Sequence, residues 1–379
     1  MIYFDNNATT PPLPDVVDEV ARAMSHEFGN PSSTHSIGVL ARKALWSARE
    51  RVASFLDALS ESVVFVSGGT EANNLVLSSV VASRRRPRIV TTPVEHSSVL
   101  GALTSFGVDN CEVVALGVDA SGRISLTELG DALTQPTDVV SVQWANSETG
   151  VIQPIDEIHR ICHANAVPLH TDAAQAVGRI HLSVRETPVD FLTFSGHKIH
   201  GPKGTGVVYA RDPVTLRRIL FGGSQEFGLR AGTENSSGLM GLAKACEIRE
   251  RSLDDAIGHM RALRERFECG LRELHTGIRV NGSDAPRVCN TANVLFGGVD
   301  GHGLVAQLDQ RKIFCSQTSA CRSHRPEPSY VLRAMGLSED DAYASVRFGF
   351  SVLNNNAEVD AVLSDVDQIY RRLRSMMDF

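Results

Sequence analysis

From residue 39 onward, stretches whose apolar residues recur every three or four positions alternate with short runs rich in β-branched residues. The first kind spans 39–59, 71–83, 97–106, 125–133 and 155–164; the second spans 63–66, 89–91, 112–116, 139–142, 168–170 and 191–194. A three-to-four spacing gathers apolar side chains on one face of a helix, whereas a short continuous apolar run fits a strand buried on both faces. Their alternation predicts an α/β fold with a largely parallel sheet covered by helices on both sides. Beyond it, 234–275 reads as a long helical connection, Val280, 293–296 and 312–314 as new short strands, and 297–301 as a turn. The chain of 379 residues exceeds the usual size of one core. We therefore expect a large domain over 15–260 and a smaller one built from 1–14 and 261–379.

Ligands of such sheets gather at the carboxyl ends of the strands. Five polar strings fall there: Ser67-Gly68-Gly69-Thr70-Glu71, Pro93-Val94-Glu95-His96, Trp144-Ala145-Asn146-Ser147-Glu148, His170-Thr171-Asp172-Ala173-Ala174-Gln175 and Ser195-Gly196-His197-Lys198. They are expected to converge on one rim. The last string carries the chemistry. The chain has five lysines (43, 198, 203, 244 and 312) among its 37 basic residues, so a lysine in a run of small, hydroxyl and glycine residues is unusual here. Such an amine can form a Schiff base with an aldehyde cofactor, while nearby hydroxyl, imidazole and glycine N–H groups hold an anion. The pattern reads as a pyridoxal phosphate site.

Other candidates each admit a plainer role. Ser67 to Thr70 opens a helix and offers N–H groups to an anion, although two glycines before a helix are common without one. Asp172 suits a carboxylate that keeps a pyridine nitrogen protonated, or simply caps a helix. His96 can stack on a planar ring and move protons, or be satisfied at a helix start. Arg347, alone among apolar neighbours, fits a clamp on a substrate carboxylate or a buried ion pair. Cys321 lies in a polar stretch beside Arg322, His324 and Arg325, which favour the nucleophilic thiolate. Cys111, Cys246 and Cys269 instead read as buried small hydrophobes, and Cys315 as packed in a strand. His159 and His163 have a metal-ligand spacing without a third ligand and are assigned to the surface.

Composition narrows the setting. A hydrophobic content of 42%, 21% charged residues and a net charge of −7 fit an ordinary globular protein and argue against broad attraction to nucleic acid or anionic membranes. The run Arg84-Arg85-Arg86-Pro87-Arg88 reads as a solvated helix end. Seven scattered cysteines, none spaced as a Cys-x-x-Cys pair, speak against a disulfide framework and for a reducing cytosol. Neither a leader nor a membrane-spanning run is apparent, which places the expectation in the cytoplasm.

Asn7-Ala8-Thr9-Thr10-Pro11, Phe28-Gly29-Asn30-Pro31-Ser32-Ser33 and Glu327-Pro328-Ser329-Tyr330-Val331-Leu332-Arg333, taken with the site strings, resemble the cysteine desulfurases, nearly end to end. These are fold-type I pyridoxal 5'-phosphate enzymes of the class V aminotransferase superfamily. The stretch around Cys321 resembles the branch with a long mobile catalytic-cysteine loop. The resemblance implies that Lys198 is the Schiff-base lysine, that His96 stacks on the ring, and that Asp172 and Gln175 meet its nitrogen and phenolic oxygen. It implies that Gly69, Thr70, Ser195 and His197 hold the phosphate, with Thr233 reaching in from a partner subunit of a homodimer. Asn146 and Arg347 would hold the carboxylate of L-cysteine, and the Cys321 thiolate would take the sulfur as a persulfide, releasing alanine. A sulfur-acceptor protein follows, in iron-sulfur assembly or nucleic-acid thiolation; direct nucleic-acid binding is not expected.

Three departures bear on the acceptor. Gln317 and Thr318 stand where relatives carry a glycine just before Ser-Ala-Cys, the segment after Cys321 is unusually basic, and no long tail follows Arg371-Arg372-Leu373-Arg374. Two rival readings remain at this level. A selenocysteine lyase or another class V enzyme would share Lys198 and Asp172 without needing Cys321, and a non-catalytic scaffold would keep the cofactor only as structure.

Overall fold

The computed structural model describes residues 1–274, 277–317 and 327–377. Its strands are β1 (Ile2–Tyr3), β2 (Val63–Val66), β3 (Arg88–Thr91), β4 (Glu112–Ala115), β5 (Val139–Ser141), β6 (Leu169–Asp172), β7 (Phe191–Ser195), β8 (Gly206–Ala210), β9 (Ile278–Val280), β10 (Thr291–Phe296), β11 (Ile313–Phe314), β12 (Ser316–Gln317) and β13 (Ser345–Gly349). Seven of them form one sheet in the order β2-β8-β7-β6-β5-β3-β4. All neighbours are parallel except β8, which runs antiparallel to both β2 and β7. The central strands are buried on both faces, as their continuous apolar runs require, whereas β4 alternates as an edge strand does.

The helices that cover this sheet include Ser36–Leu56, Gly69–Val81, Ser97–Phe106, Leu126–Ala132 and Ile155–Ala164, close to the expected spans. The long connection is two helices, Ser236–Arg251 and Leu253–Leu274, rather than one. Ser252 leaves helical geometry and its hydroxyl bonds Ile248 O at 2.9 Å, the side-chain competition that serine offers a helix backbone. The helix Pro14–His26 begins with a proline at its first turn, where the missing N–H is not needed.

A second sheet, β12-β13-β10-β9, carries its own core. Phe4, Phe267, Phe296, Phe348 and Phe350 are all fully buried there, with Phe267 and Phe348 ring centres 4.7 Å apart and Phe4 and Phe350 4.8 Å apart. The amino terminus belongs to this core, because β1 pairs in parallel with β11. The chain then crosses to the large sheet over residues 5–13. Asn7 marks the crossing, with its Nδ2 donating to Thr291 Oγ1 at 2.8 Å and to Ser147 O at 3.1 Å.

Some surface expectations change. Cys111 and Cys246 are buried, but Cys269 is exposed, because in helix Leu253–Leu274 it falls off the stripe set by Leu263, Phe267 and Leu271. Arg84 to Arg86 are solvated, whereas Arg88 is buried and paired with Glu112 at 3.1 Å. His159 is half-buried and His163 exposed. Among the described residues no helix is long and apolar enough to cross a membrane.

Candidate active site

The strand ends meet around a cavity of 260 Å³. All five polar strings reach it: Gly69 and Thr70 after β2, His96 after β3, Ala145 and Ser147 after β5, Asp172 at the end of β6 with Gln175 beyond it, and Ser195 at the end of β7 with His197 and Lys198 beyond it. Ala8, from the amino-terminal crossing, completes the wall with Ser98, Gln143 and Ala174.

Strand β8 shapes the first turn. Gly206 lies so close beneath Gly68 that a Cβ there would stand 2.5 Å from Gly68 Cα. This tight stacking delivers Gly69 and Thr70 to the positive end of helix Gly69–Val81. The Gly69 N–H donates to Ser195 Oγ at 2.9 Å, so two of the expected anion-holding groups already touch. Behind the turn, Glu71 accepts from Ser67 N at 2.9 Å and pairs with Arg230 at 2.9 Å.

Asp172 is 7% exposed. Its Oδ2 accepts from Asn73 Nδ2 at 2.8 Å and its Oδ1 from Ala174 N at 2.9 Å, which keeps the carboxylate oriented. His96 caps helix Ser97–Phe106: its Nδ1 accepts from Ser98 N at 3.1 Å, which leaves the ring proton to Nε2. The helix-start role weighed against catalysis is real, yet the ring still lines the cavity. His197 stands 3.1 Å through Nδ1 from Thr9 Oγ1, and burial followed by the charge of Lys198 pushes its pKa down to about 4, so it is neutral.

Lys198 ends the short turn after β7. Gly196 precedes it because a Cβ there would meet Thr205 Oγ1 at 2.4 Å. Lys198 Nζ donates to Asn7 O at 2.5 Å and to Ala8 O at 2.9 Å. Burial, then the positive charges of Arg179 and Arg347, bring its pKa down to about 7. A neutral amine has two N–H groups and one lone pair. The two carbonyls take the former and leave the latter free to act.

Three expected residues stand outside this wall. Asn146 is 2% exposed and braces its loop, donating to Val94 O at 3.0 Å and accepting from Glu148 N and Thr149 N, each at 2.9 Å. Arg347, on β13, donates to Ser147 O at 3.1 Å and pairs with Asp5 at 2.9 Å; among the described residues its Nε has no acceptor. Thr233 is exposed away from the cavity of its own chain. Cys321 lies outside the described residues. Shortly after it in sequence, Tyr330 OH donates to Glu95 O at 2.7 Å and Ser329 Oγ donates to Glu148 Oε2, tying these residues to the loops of His96 and Ser147.

Two groups within the strings and one just beyond them were passed over by sequence reasoning. Glu95 is fully buried and accepts from Thr92 Oγ1 at 2.7 Å and Gln143 N at 2.9 Å; burial pushes its pKa up to about 8. Glu148 is likewise raised to about 7 by burial. Arg179, which bonds Gln175 Oε1 and Lys198 O, supports two site residues from behind. An apolar-to-polar pattern marks strand ends but not which polar residue turns inward.

Comparison with known proteins agrees with this geometry. The aminotransferase class-V family model matches residues 2–362. A cysteine desulfurase of Nostoc sp. is 40% identical over 100% of this chain and 95% of its own length. Among solved structures, a NifS-like protein superposes with a TM-score of 0.91 at 34% identity, covering 98% of this chain and 100% of that one. The structure described as SspA in complex with cysteine has a TM-score of 0.82 at 31% identity, covering 93% and 99%. With its strand-end lysine, its mixed seven-stranded sheet and likeness over its whole length, the chain belongs to the aminotransferase class-V family, in the company of the cysteine desulfurases.

Proposed function

We propose that this chain is a pyridoxal 5'-phosphate-dependent cysteine desulfurase that converts L-cysteine to L-alanine and lodges the sulfur on Cys321 as a persulfide for an acceptor protein. The observation that carries this reading is the meeting of a half-neutral Lys198 amine, the Asp172 carboxylate and the Gly69–Ser195 contact in one cavity. These groups fit the cofactor. An amine with a free lone pair suits its aldehyde, a buried carboxylate that joins no ion pair among the described residues suits a pyridinium N–H, and a helix N-terminus with hydroxyls suits its phosphate. Gly69, Thr70, Ser195 and His197 would hold the phosphate, Asp172 and Gln175 the ring, and His96 its face. When bound, the cofactor supplies an electron sink that makes bonds at the substrate Cα and Cβ labile.

The chain's own groups do the rest. Arg347 would hold the substrate carboxylate, exchanging its contact with Asp5 for it, and Asn146 would steady the loop beside that carboxylate. Lys198 Nζ, with its lone pair exposed near neutral pH, moves the Cα proton, and His96 Nε2 supplies a second proton. The Cys321 thiolate, favoured by Arg322, His324 and Arg325, forms an S–S bond with the substrate sulfur as the C–S bond breaks. The electron pair stays on carbon, which is protonated to give alanine.

The exposed position of Thr233 outside its own cavity supports a homodimer in which it serves the partner's site. We further propose the cytoplasm as the location, residues 15–260 as the cofactor-binding domain, 1–14 with 261–379 as the smaller one, and iron-sulfur assembly or nucleic-acid thiolation as the acceptor pathway. The cysteine in the similar SspA structure supports L-cysteine as substrate. Incubating the purified protein and its Cys321→Ser variant with L-cysteine and a reductant tests the reading. Equal alanine and sulfide from the parent, and neither from the variant, support it; activity surviving in the variant favours a selenocysteine lyase or another class V enzyme.

A further inference from the structure

Ile199, the residue after Lys198, lines a second cavity of 270 Å³ between helices Ser236–Arg251 and Leu253–Leu274. Its walls are mainly apolar, with Leu13, Ala245, Ile248 and Val352 beside Ile199. Two charged residues line it, the exposed Asp255 at its rim and the buried Arg249 in its wall. Arg249 is 5% exposed, and among the described residues its Nη1 has no acceptor.

Among the described residues the other buried arginines are paired. Arg49 meets Glu226, Arg88 meets Glu112 and Arg264 meets Glu265. Arg249 and its neighbour Arg179, 4% exposed, are the exceptions: among the described residues neither takes part in an ion pair. Arg179 is consoled by neutral oxygens of Gln175 and Lys198, whereas among the described residues Arg249 Nη1 has no such acceptor. The two guanidiniums also repel each other. Cys289 lies close to both, but burial raises its pKa, so it stays a neutral thiol. Asp255 and His259 line the cavity from its exposed side, and His259 is already bonded to Asn354 O at 2.9 Å. An unpaired cation in an apolar wall is costly unless an anion joins it.

We propose that this second cavity binds a small monocarboxylate with a short apolar body, its carboxylate on Arg249 and its body against Leu13, Ile199 and Val352. Asp255 at the rim disfavours a doubly charged anion. The site is separate from the Asp5–Arg347 pair, and its occupant would touch the residue next to Lys198.

The probe is isobutyrate, titrated calorimetrically into the purified holoenzyme against sodium chloride of equal ionic strength. The proposal expects saturable binding of one isobutyrate per chain, retained in Arg347→Gln and weakened at least about tenfold in Arg249→Gln. Val352→Phe, which fills the cavity without touching the charge, should abolish binding, and it decides the matter if Arg249→Gln fails to fold. Absence of saturable binding overturns the proposal. So does binding that survives Val352→Phe or is lost in Arg347→Gln, and so does sulfate binding as tightly as isobutyrate.

Discussion

Lys198 Nζ donates to the carbonyl oxygen of Asn7 at 2.5 Å across 191 positions of sequence. The contact exists because β1 anchors the amino terminus in the smaller core, so the next residues must cross the mouth of the large sheet. With Ala8 O as the second acceptor, the amine is set up to work unprotonated. Its pKa, lowered to about 7, means that the neutral form dominates above neutral pH. Reductive methylation of the cofactor-free protein, followed residue by residue with mass spectrometry, should therefore show Lys198 reacting half-maximally near pH 7. A Lys198 profile that is still climbing toward pH 10, as that of an ordinary lysine does, contradicts the assignment.

Arg347 has its Nη2 on Asp5 and its Nη1 on Ser147 O. If it clamps the substrate carboxylate, Arg347→Gln removes a charge-assisted contact worth about 1.5–3 kcal/mol, so KM for L-cysteine should rise at least about tenfold. Steady-state kinetics in which kcat falls while KM stays put would assign Arg347 to the chemistry instead.

Gly206 supports the turn of Gly68 from below, and any side chain there meets backbone atoms that cannot swing aside. Gly206→Ala should destabilise the protein by roughly 1–3 kcal/mol and weaken cofactor retention, since the displaced turn carries Gly69 and Thr70. Thermal unfolding and dialysis followed by cofactor absorbance read both effects. Unchanged values would mean that the two strands separate more easily than their packing implies.

Glu148, held by Ser329, keeps its proton in the folded protein up to about pH 7 although an ordinary glutamate loses it near 4.5. The native state thus binds more protons than the unfolded chain across this window, and stability contributed here falls as pH rises through it. In Glu148→Gln that fall is absent. The variant should gain roughly 1–3 kcal/mol relative to the parent between pH 4.5 and pH 8, measured by denaturant unfolding. Parallel pH profiles would show that Glu148 is ionised when folded.

The rim was legible in the sequence because strand ends are fixed by pattern: where the apolar run 191–194 stops, Ser195 and Lys198 must emerge together. What escaped depended on contacts between distant segments. Nothing local tells that the carbonyls of Asn7 and Ala8 face Lys198, that Arg179 sits behind Gln175, or that β8 returns antiparallel beneath Gly68. Prolines at 11, 12 and 14 disguised the helix Pro14–His26, whose first turn tolerates one of them. Cys269 was misplaced by helix phase alone, since its apolar neighbours on both sides are buried. Asn146 and Arg347, expected to hold the substrate carboxylate, are braced on Val94 O and Asp5 rather than lining the cavity, a placement that local pattern does not reveal.

The central claim is that sulfur passes to Cys321. Reacting the purified protein with L-cysteine without reductant, trapping thiols by alkylation and sequencing peptides by mass spectrometry tests it directly. The account predicts an added sulfur atom on the Cys321 peptide, in proportion to the alanine formed and absent from the Lys198→Ala variant. Alanine accumulating while Cys321 stays unmodified, or the added sulfur appearing on another cysteine, would contradict it.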